Sequence, residues 1–263
     1  MTKELAAGAI LLEEEAVGHL RLNAPARRNA MSKDMWHGLV EALDYIEAQS
    51  QISVLVLSGE GDHFCAGADI SEFEETYRDL DAIREYNHLI RLAQKRLRDC
   101  PLPTIAKISG ACVGGGCGLA LSCDVRFVSS STKMGITPSR LGLAYSPADC
   151  QQLAEKVGYP KAKELLMSAR LLSADEALKL GLADFSCEMA ELSQAVNDYA
   201  SQLAQRSPTS IRAIKHIIHG LAATPAIDDP TLHRVFEDTF SSQDFAEGRR
   251  AFIEKRTPVF TGR

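Results

Sequence analysis

The sequence predicts an α/β fold whose final third is helical, and three observations carry that expectation. ISVLVLSG (52–59) and TIAKISG (104–110) are short apolar runs, and CDVRFVS (123–129) is a third. Such runs mark strands covered on both faces. Segments with helical spacing alternate with them, the pattern of parallel β–α units. Beyond about residue 146 the strand signals fade, while helical segments continue to the end of the chain.

Taken in order, AILLEEEAVGHLRLN reads as two strands around an acidic turn. SKDMWHGLVEALDYIEAQ follows as a helix, with Ser32 as its N-cap and Met35, Leu39, Leu43 and Ile46 on one face. The strand at 52–59 leads into the loop EGDHFCAGADI, and residues 81–99 form a long charged helix. PKAKELLMSA, SADEALKLG, ELSQAVNDYASQLAQ, PTSIRAIKHIIHGL and DFAEGRRAFIEKR all read as helices. Gly181 and Gly220 are placed as helix stops. Neither a repeat nor a low-complexity linker divides the chain.

Composition narrows the class of function. The 263 residues are 45% hydrophobic and 24% charged, with a formal net charge of -6. That is ordinary for a globular protein with a large core, and it does not point to nucleic acid. No apolar run reaches membrane-spanning length, and the first residues lack the basic and apolar regions of a signal peptide. The seven cysteines contain no C-x-x-C pair, so reduced core thiols in a cytoplasmic protein are expected. His216 and His219 lack a third ligand, so no metal site is expected.

Two loops stand out chemically. FCAGADI (64–70) follows the strand at 52–57, and GACVGGGCGLA (110–120) follows the strand at 104–109. Ligands in open α/β sheets bind outside the carboxyl ends of strands. Small residues there allow close approach to backbone N–H groups, and a helix start adds positive potential. Two such N–H groups from neighbouring loops would make an oxyanion hole. Gly118, inside the helix that follows, costs ~1 kcal/mol relative to alanine. Something should offset that cost, or no larger side chain is wanted at 118.

These segments resemble the crotonase (enoyl-CoA hydratase/isomerase) superfamily, together with ARRNAMS, PSRLGLAYSP, ARLLSADEALKLGLAD and the tail EGRRAFIEKRTPVFTGR. The resemblance covers nearly the whole chain. It implies an α/β fold of the crotonase-type ββα spiral, with a spiral core over 1–200 and a helical C-terminal trimerisation region over 201–263. It implies an acyl-CoA substrate, with coenzyme A entering as part of that substrate and no separate cofactor. The thioester oxygen would sit between the N–H groups of Ala68 and Gly115. Ala26 and Arg28 would wall the adenine and pantetheine, and Phe252 and Lys255 would contact CoA across a subunit boundary. Ala66, Gly67, Asp69, Ile70, Gly114, Gly118 and Pro138 would line the remainder. Self-association as a trimer, or a dimer of trimers, is expected.

The acid–base stations break the pattern. Hydratases of the superfamily carry glutamates where this chain has Gly118 and Pro138, and other members carry acids where it has Ser146 or Tyr145; by that resemblance Gly118 leaves room beside the acyl chain of the substrate. General acid–base catalysis needs a titratable group within reach of the proton. The stretch ITPSRLGLAY resembles the methylmalonyl-CoA decarboxylases, whose reaction forms an enolate by loss of CO₂ without proton abstraction. By that resemblance Thr137 contacts the acyl part and Tyr145 turns the carboxylate. Decarboxylation of a malonyl-type thioester is therefore the expected reaction. A hydratase or isomerase with a non-standard acid–base group is the alternative, and a non-catalytic acyl-CoA-binding fold is a third. Cys65, although near His63, is expected to pack rather than attack. Asp69 is expected to cap a helix, and Asp149 to be an acid at a helix start, where acids are favoured anyway.

Overall fold

The computed structural model describes residues 2–49, 51–76, 78–141, 143–223 and 242–263. Strands β1 (Thr2–Leu5), β2 (Ile10–Glu13) and β3 (Val17–Leu22) form an antiparallel meander. Helix α1 (Lys33–Gln49) follows, and the Ser32 hydroxyl accepts from the Met35 N–H at 3.2 Å, as an N-cap does. Strands β4 (Val54–Gly59), β5 (Thr104–Ile108), β7 (Val125–Ser129) and β10 (Phe185–Cys187) continue the sheet in parallel from β3. The order is β1-β2-β3-β4-β5-β7-β10. A second sheet pairs β6 (Ala111–Val113) with β8 (Lys133–Gly135) in parallel, and β8 with β9 (Leu172–Ser173) antiparallel.

The apolar continuity of ISVLVLSG now has its reason. Successive side chains of a strand point to opposite faces. Leu55 and Leu57 enter the main core with Trp36, Leu39 and Leu97. Val54 and Val56 face the other way, against Leu192, Val196 and Ala200 of α8 (Leu192–Ala204). Both faces of the strand are therefore covered. Helices α2 (Phe73–Thr76) and α3 (Leu80–Arg98) lie between β4 and β5 in the chain. Helix α4 (Gly115–Ser122) joins β6 to β7.

The later helices are α5 (Pro147–Val157), α6 (Tyr159–Ser168), α7 (Ala174–Lys179), α8, α9 (Pro208–Ala223) and α10 (Gln243–Glu254). Ser173 and Glu176 close α7 with a reciprocal capping box. Gly181 follows α7 at φ 77°, as a helix stop requires. Gly220 does not stop a helix, because α9 continues through it to Ala223. Five short strands, β1, β6, β8, β9 and β10, also escaped the periodicity reading, the last two within the final third that was expected to be helical. Each has only two to four residues, too few for alternation to register.

The helical C-terminal part is tied to the rest of the chain. Lys215 on α9 donates to Asp124 Oδ2 at 2.7 Å and to the Leu102 carbonyl at 3.0 Å. The same Asp124 oxygen accepts from the Thr104 N–H at 2.8 Å, joining α9 to the start of β5. Arg126, 2% exposed, is held by Asp184 at 2.6 Å and by the Cys123 carbonyl at 2.8 Å. A buried charge of this kind is tolerated because it is paired and hydrogen-bonded.

Candidate active site

The two small-residue loops run side by side. Cys65 donates to Ala111 O at 2.9 Å, and Val113 donates to Cys65 O at 2.9 Å. Met31 crosses the first loop by donating to Gly67 O at 2.7 Å and accepting from the Asp69 N–H at 3.0 Å. Strand-like pairing uses alternate residues, so the Ala68 N–H is turned away from Met31. Gly115 is the first residue of α4, where backbone N–H groups have no intrahelical acceptor. Among the described residues neither N–H makes a backbone hydrogen bond. The loops touch: a Cβ on Gly67 would lie 3.8 Å from the Gly115 nitrogen.

The run of glycines has three separate causes. Gly114 turns the chain at φ 55°. Gly116 presses on the first loop, since a Cβ there would lie 2.4 Å from Cys65 O. Gly118 does not leave open room beside a substrate, contrary to the expectation from sequence. A Cβ there would lie 2.2 Å from Gln94 Nε2, 3.0 Å from Asp149 Oδ1 and 3.2 Å from Tyr145 Oη. Three polar side chains already fill that space.

Asp149 is 5% exposed and lies in the first turn of α5. Its N–H donates to the Ser146 hydroxyl at 3.1 Å, and that hydroxyl donates to Asp149 Oδ2 at 2.6 Å. Oδ1 is buried and, among the described residues, has no hydrogen bond of full geometry. Burial raises the carboxyl pKa above its ordinary value, while Ser146 and Gln94 oppose the rise. The expectation that Asp149 only decorates a helix start accounts for Oδ2 and leaves Oδ1 unexplained. Gln94 went unnoticed in the sequence. It interrupts the buried stripe of α3 beside Tyr86, Leu89, Ala93 and Leu97, and a polar residue on such a stripe was the available signal.

Tyr145 donates to the Gly114 carbonyl at 3.1 Å. Its one hydroxyl proton is thus engaged with the backbone, rather than free to turn a substrate carboxylate as the decarboxylase resemblance implies. Burial, then the Asp149 charge, pushes its pKa well up. Thr137 and Pro138 are half-buried at the start of the turn Pro138–Leu141.

Asp69 caps the turn Ile70–Glu72 by accepting from the Ser71 N–H at 3.0 Å, and it also pairs with Arg27. That pair fastens the exposed segment holding Ala26 and Arg28 to the first loop, and Ala66 donates to Arg28 O at 3.0 Å. Arg27 was not singled out from sequence. Ile70 is 71% exposed beside these groups. Lys255 is exposed just past α10, whereas the side chain of Phe252 lies outside the described residues. Cys65 is fully buried, and burial pushes its thiol up to about 12. A thiol held protonated is a poor nucleophile. His63 Nδ1 accepts from the Ala111 N–H at 3.1 Å and so binds the loops together. Among the described residues no three His, Cys, Asp or Glu side chains gather to hold a metal, and no helix is long and apolar enough to cross a membrane.

Residues 13–263 match the family model described as enoyl-CoA hydratase/isomerase. The chain is 32% identical over 252 residues to a short-chain-enoyl-CoA hydratase of Clostridium acetobutylicum, covering 94% of this chain and 95% of that protein. It superposes with TM-score 0.93 on an enoyl-CoA hydratase/carnitine racemase structure from Magnetospirillum magneticum, at 34% identity over 97% of this chain and 96% of that one. An enoyl-CoA hydratase structure from Bacillus anthracis gives TM-score 0.90 at 29% identity, covering 97% of this chain and all of that one, 100%. Fold, loop geometry and these likenesses agree: the chain belongs to the enoyl-CoA hydratase/isomerase family, the crotonase superfamily.

Proposed function

We propose that this crotonase-superfamily enzyme moves a proton on an enoyl-CoA thioester, as a hydratase or isomerase, with the thioester oxygen between the N–H groups of Ala68 and Gly115. The observation that carries the reading is that pair of unused N–H groups on touching loops. Donors fixed before reaction stabilise the enolate oxygen without reorganising, and losing one such donor costs ~10²–10³ in rate. Backbone at Ala26 and Arg28, Lys255 and the exposed Ile70 are the proposed contacts for CoA. The names of the relatives favour this reading over decarboxylation, and so does the engaged Tyr145 hydroxyl.

A panel of 2-enoyl, 3-enoyl and methylmalonyl thioesters, followed by mass spectrometry, tests it. Turnover of an enoyl thioester well above any CO₂ loss is the expected result. Preferred decarboxylation would overturn the proposal and return Tyr145 and Thr137 to the roles implied by the decarboxylase resemblance.

A further inference from the structure

We propose that Asp149 is the acid–base residue of this chain, reaching from α5 into the space beside Gly118 on α4. The inference rests on the acyl-CoA reading above and names the group that moves the proton. Gly118 lies three residues after Gly115, so both fall on one face of α4. Asp149 Oδ1 stands 3.0 Å from where a Cβ on Gly118 would begin. The carboxylate therefore reaches by a different route the volume that a longer side chain at 118 would enter.

A capping role alone does not explain the arrangement. Ser146 satisfies Oδ2, whereas Oδ1 is buried and, among the described residues, has no hydrogen bond of full geometry, the Gln94 amide being the other polar group that bears on the carboxylate. A buried carboxylate oxygen so weakly partnered is costly unless something else requires it. A proton on a substrate carbon would supply that requirement. The titratable groups facing Asp149 are Tyr145 and Cys150, with Cys112 and Cys117 facing Tyr145 in turn. Helix α3 presents the uncharged Gln94. No cation among the described residues contributes to the shift of the carboxyl, so burial keeps it a readily protonated base.

The step balances with one carboxylate. Asp149 takes a proton from C2 of a 3-enoyl thioester, and the C–H electron pair passes into the thioester as a dienolate. The negative oxygen rests on the Ala68 and Gly115 N–H groups. The electrons then return, C2 and C3 become doubly bonded, and the same proton goes from Asp149 to C4. No water or second base is consumed. Hydration needs one group to activate water and another to deliver a proton, and neither Gly118 nor Pro138 can be the second. The double-bond shift should therefore exceed hydration.

The test measures isomerisation of a 3-enoyl-CoA across pH in wild type, Asp149→Asn and Asp149→Glu, with calorimetric binding of a saturated acyl-CoA. The asparagine variant should lose ~10²-fold or more in kcat while binding changes by less than about threefold. The wild-type rate should rise with pH through an ionisation above the ordinary carboxylate value of 3.8, and the glutamate variant should keep part of the activity. An asparagine variant with wild-type kcat and pH profile overturns the inference. So does a wild type that binds acyl-CoA without isomerising. If the asparagine variant fails to fold, a wild-type profile without that ionisation overturns it instead. A wild type that binds no acyl-CoA refutes the functional reading itself, apart from the role of Asp149.

Discussion

Gly118 shows how a missing side chain and an empty space differ. The residue is buried, and Gln94, Asp149 and Tyr145 crowd the place of its absent Cβ. From sequence the substitution of an expected glutamate reads as loss of a catalytic group. Only the fold shows that the carboxylate of Asp149, on α5, stands beside this position. Proximity of residues 94, 118, 145 and 149 depends on how α3, α4 and α5 pack, and no local spacing encodes it. The replacement Gly118→Ala separates packing from chemistry. Its Cβ would displace the far end of Gln94, a flexible group, and alanine gains ~1 kcal/mol of helix propensity. Thermal denaturation should therefore show little change, while displacement of Gln94 and pressure on Asp149 lower turnover about tenfold or more. Full turnover would place this point outside the site. A collapse in Tm would make it a packing position only.

The longer strands and long helices were legible because each carries its own signal. ISVLVLSG is apolar throughout since β4 is covered on both faces, and Ser32 caps α1 by its own hydroxyl. Gly220 misled because glycine within a helix and glycine after one look alike locally, and only the continuation of α9 decides. The loop pair was legible as two small-residue runs after strands, but not the Arg27–Asp69 bond that fastens its neighbour. At the end of the chain Asp244, 1% exposed, draws the final residues back onto α10. It accepts from the Thr261 N–H at 2.7 Å, from the Gly262 N–H at 3.1 Å and from the Ser207 hydroxyl at 2.7 Å. Burial raises its pKa, but these donors outweigh burial and hold the carboxyl below its ordinary 3.8. A depressed carboxylate contributes stability that is full above the unfolded pKa and lost as pH falls through the folded one. Asp244→Ala should cost about 1.5–3 kcal/mol in urea denaturation at neutral pH. The difference from wild type should shrink as pH drops below the ordinary value, and a difference unchanged by acid would contradict the account.

At the scale of the whole molecule, the exposed apolar residues of α9 bear on assembly. Ile214 is 61% exposed and Ile218 58%, four residues apart and so on one helical face. We propose that this face helps to build the trimer implied by the family resemblance. Sedimentation should give a trimer or hexamer at micromolar concentration, and Ile218→Glu should shift it toward smaller species. A stable monomer would remove the proposed role of Lys255 across a subunit boundary. The central claim is an enolate held by the Ala68 and Gly115 N–H groups in a family member without the usual glutamates. Its most direct test is uptake of solvent deuterium at Cα of a saturated acyl-CoA incubated with the wild-type enzyme. That thioester can form an enolate but has no double bond to hydrate or shift. The account predicts enzyme-dependent deuterium at Cα. Tight binding of the thioester with no deuterium above the uncatalysed background would contradict it.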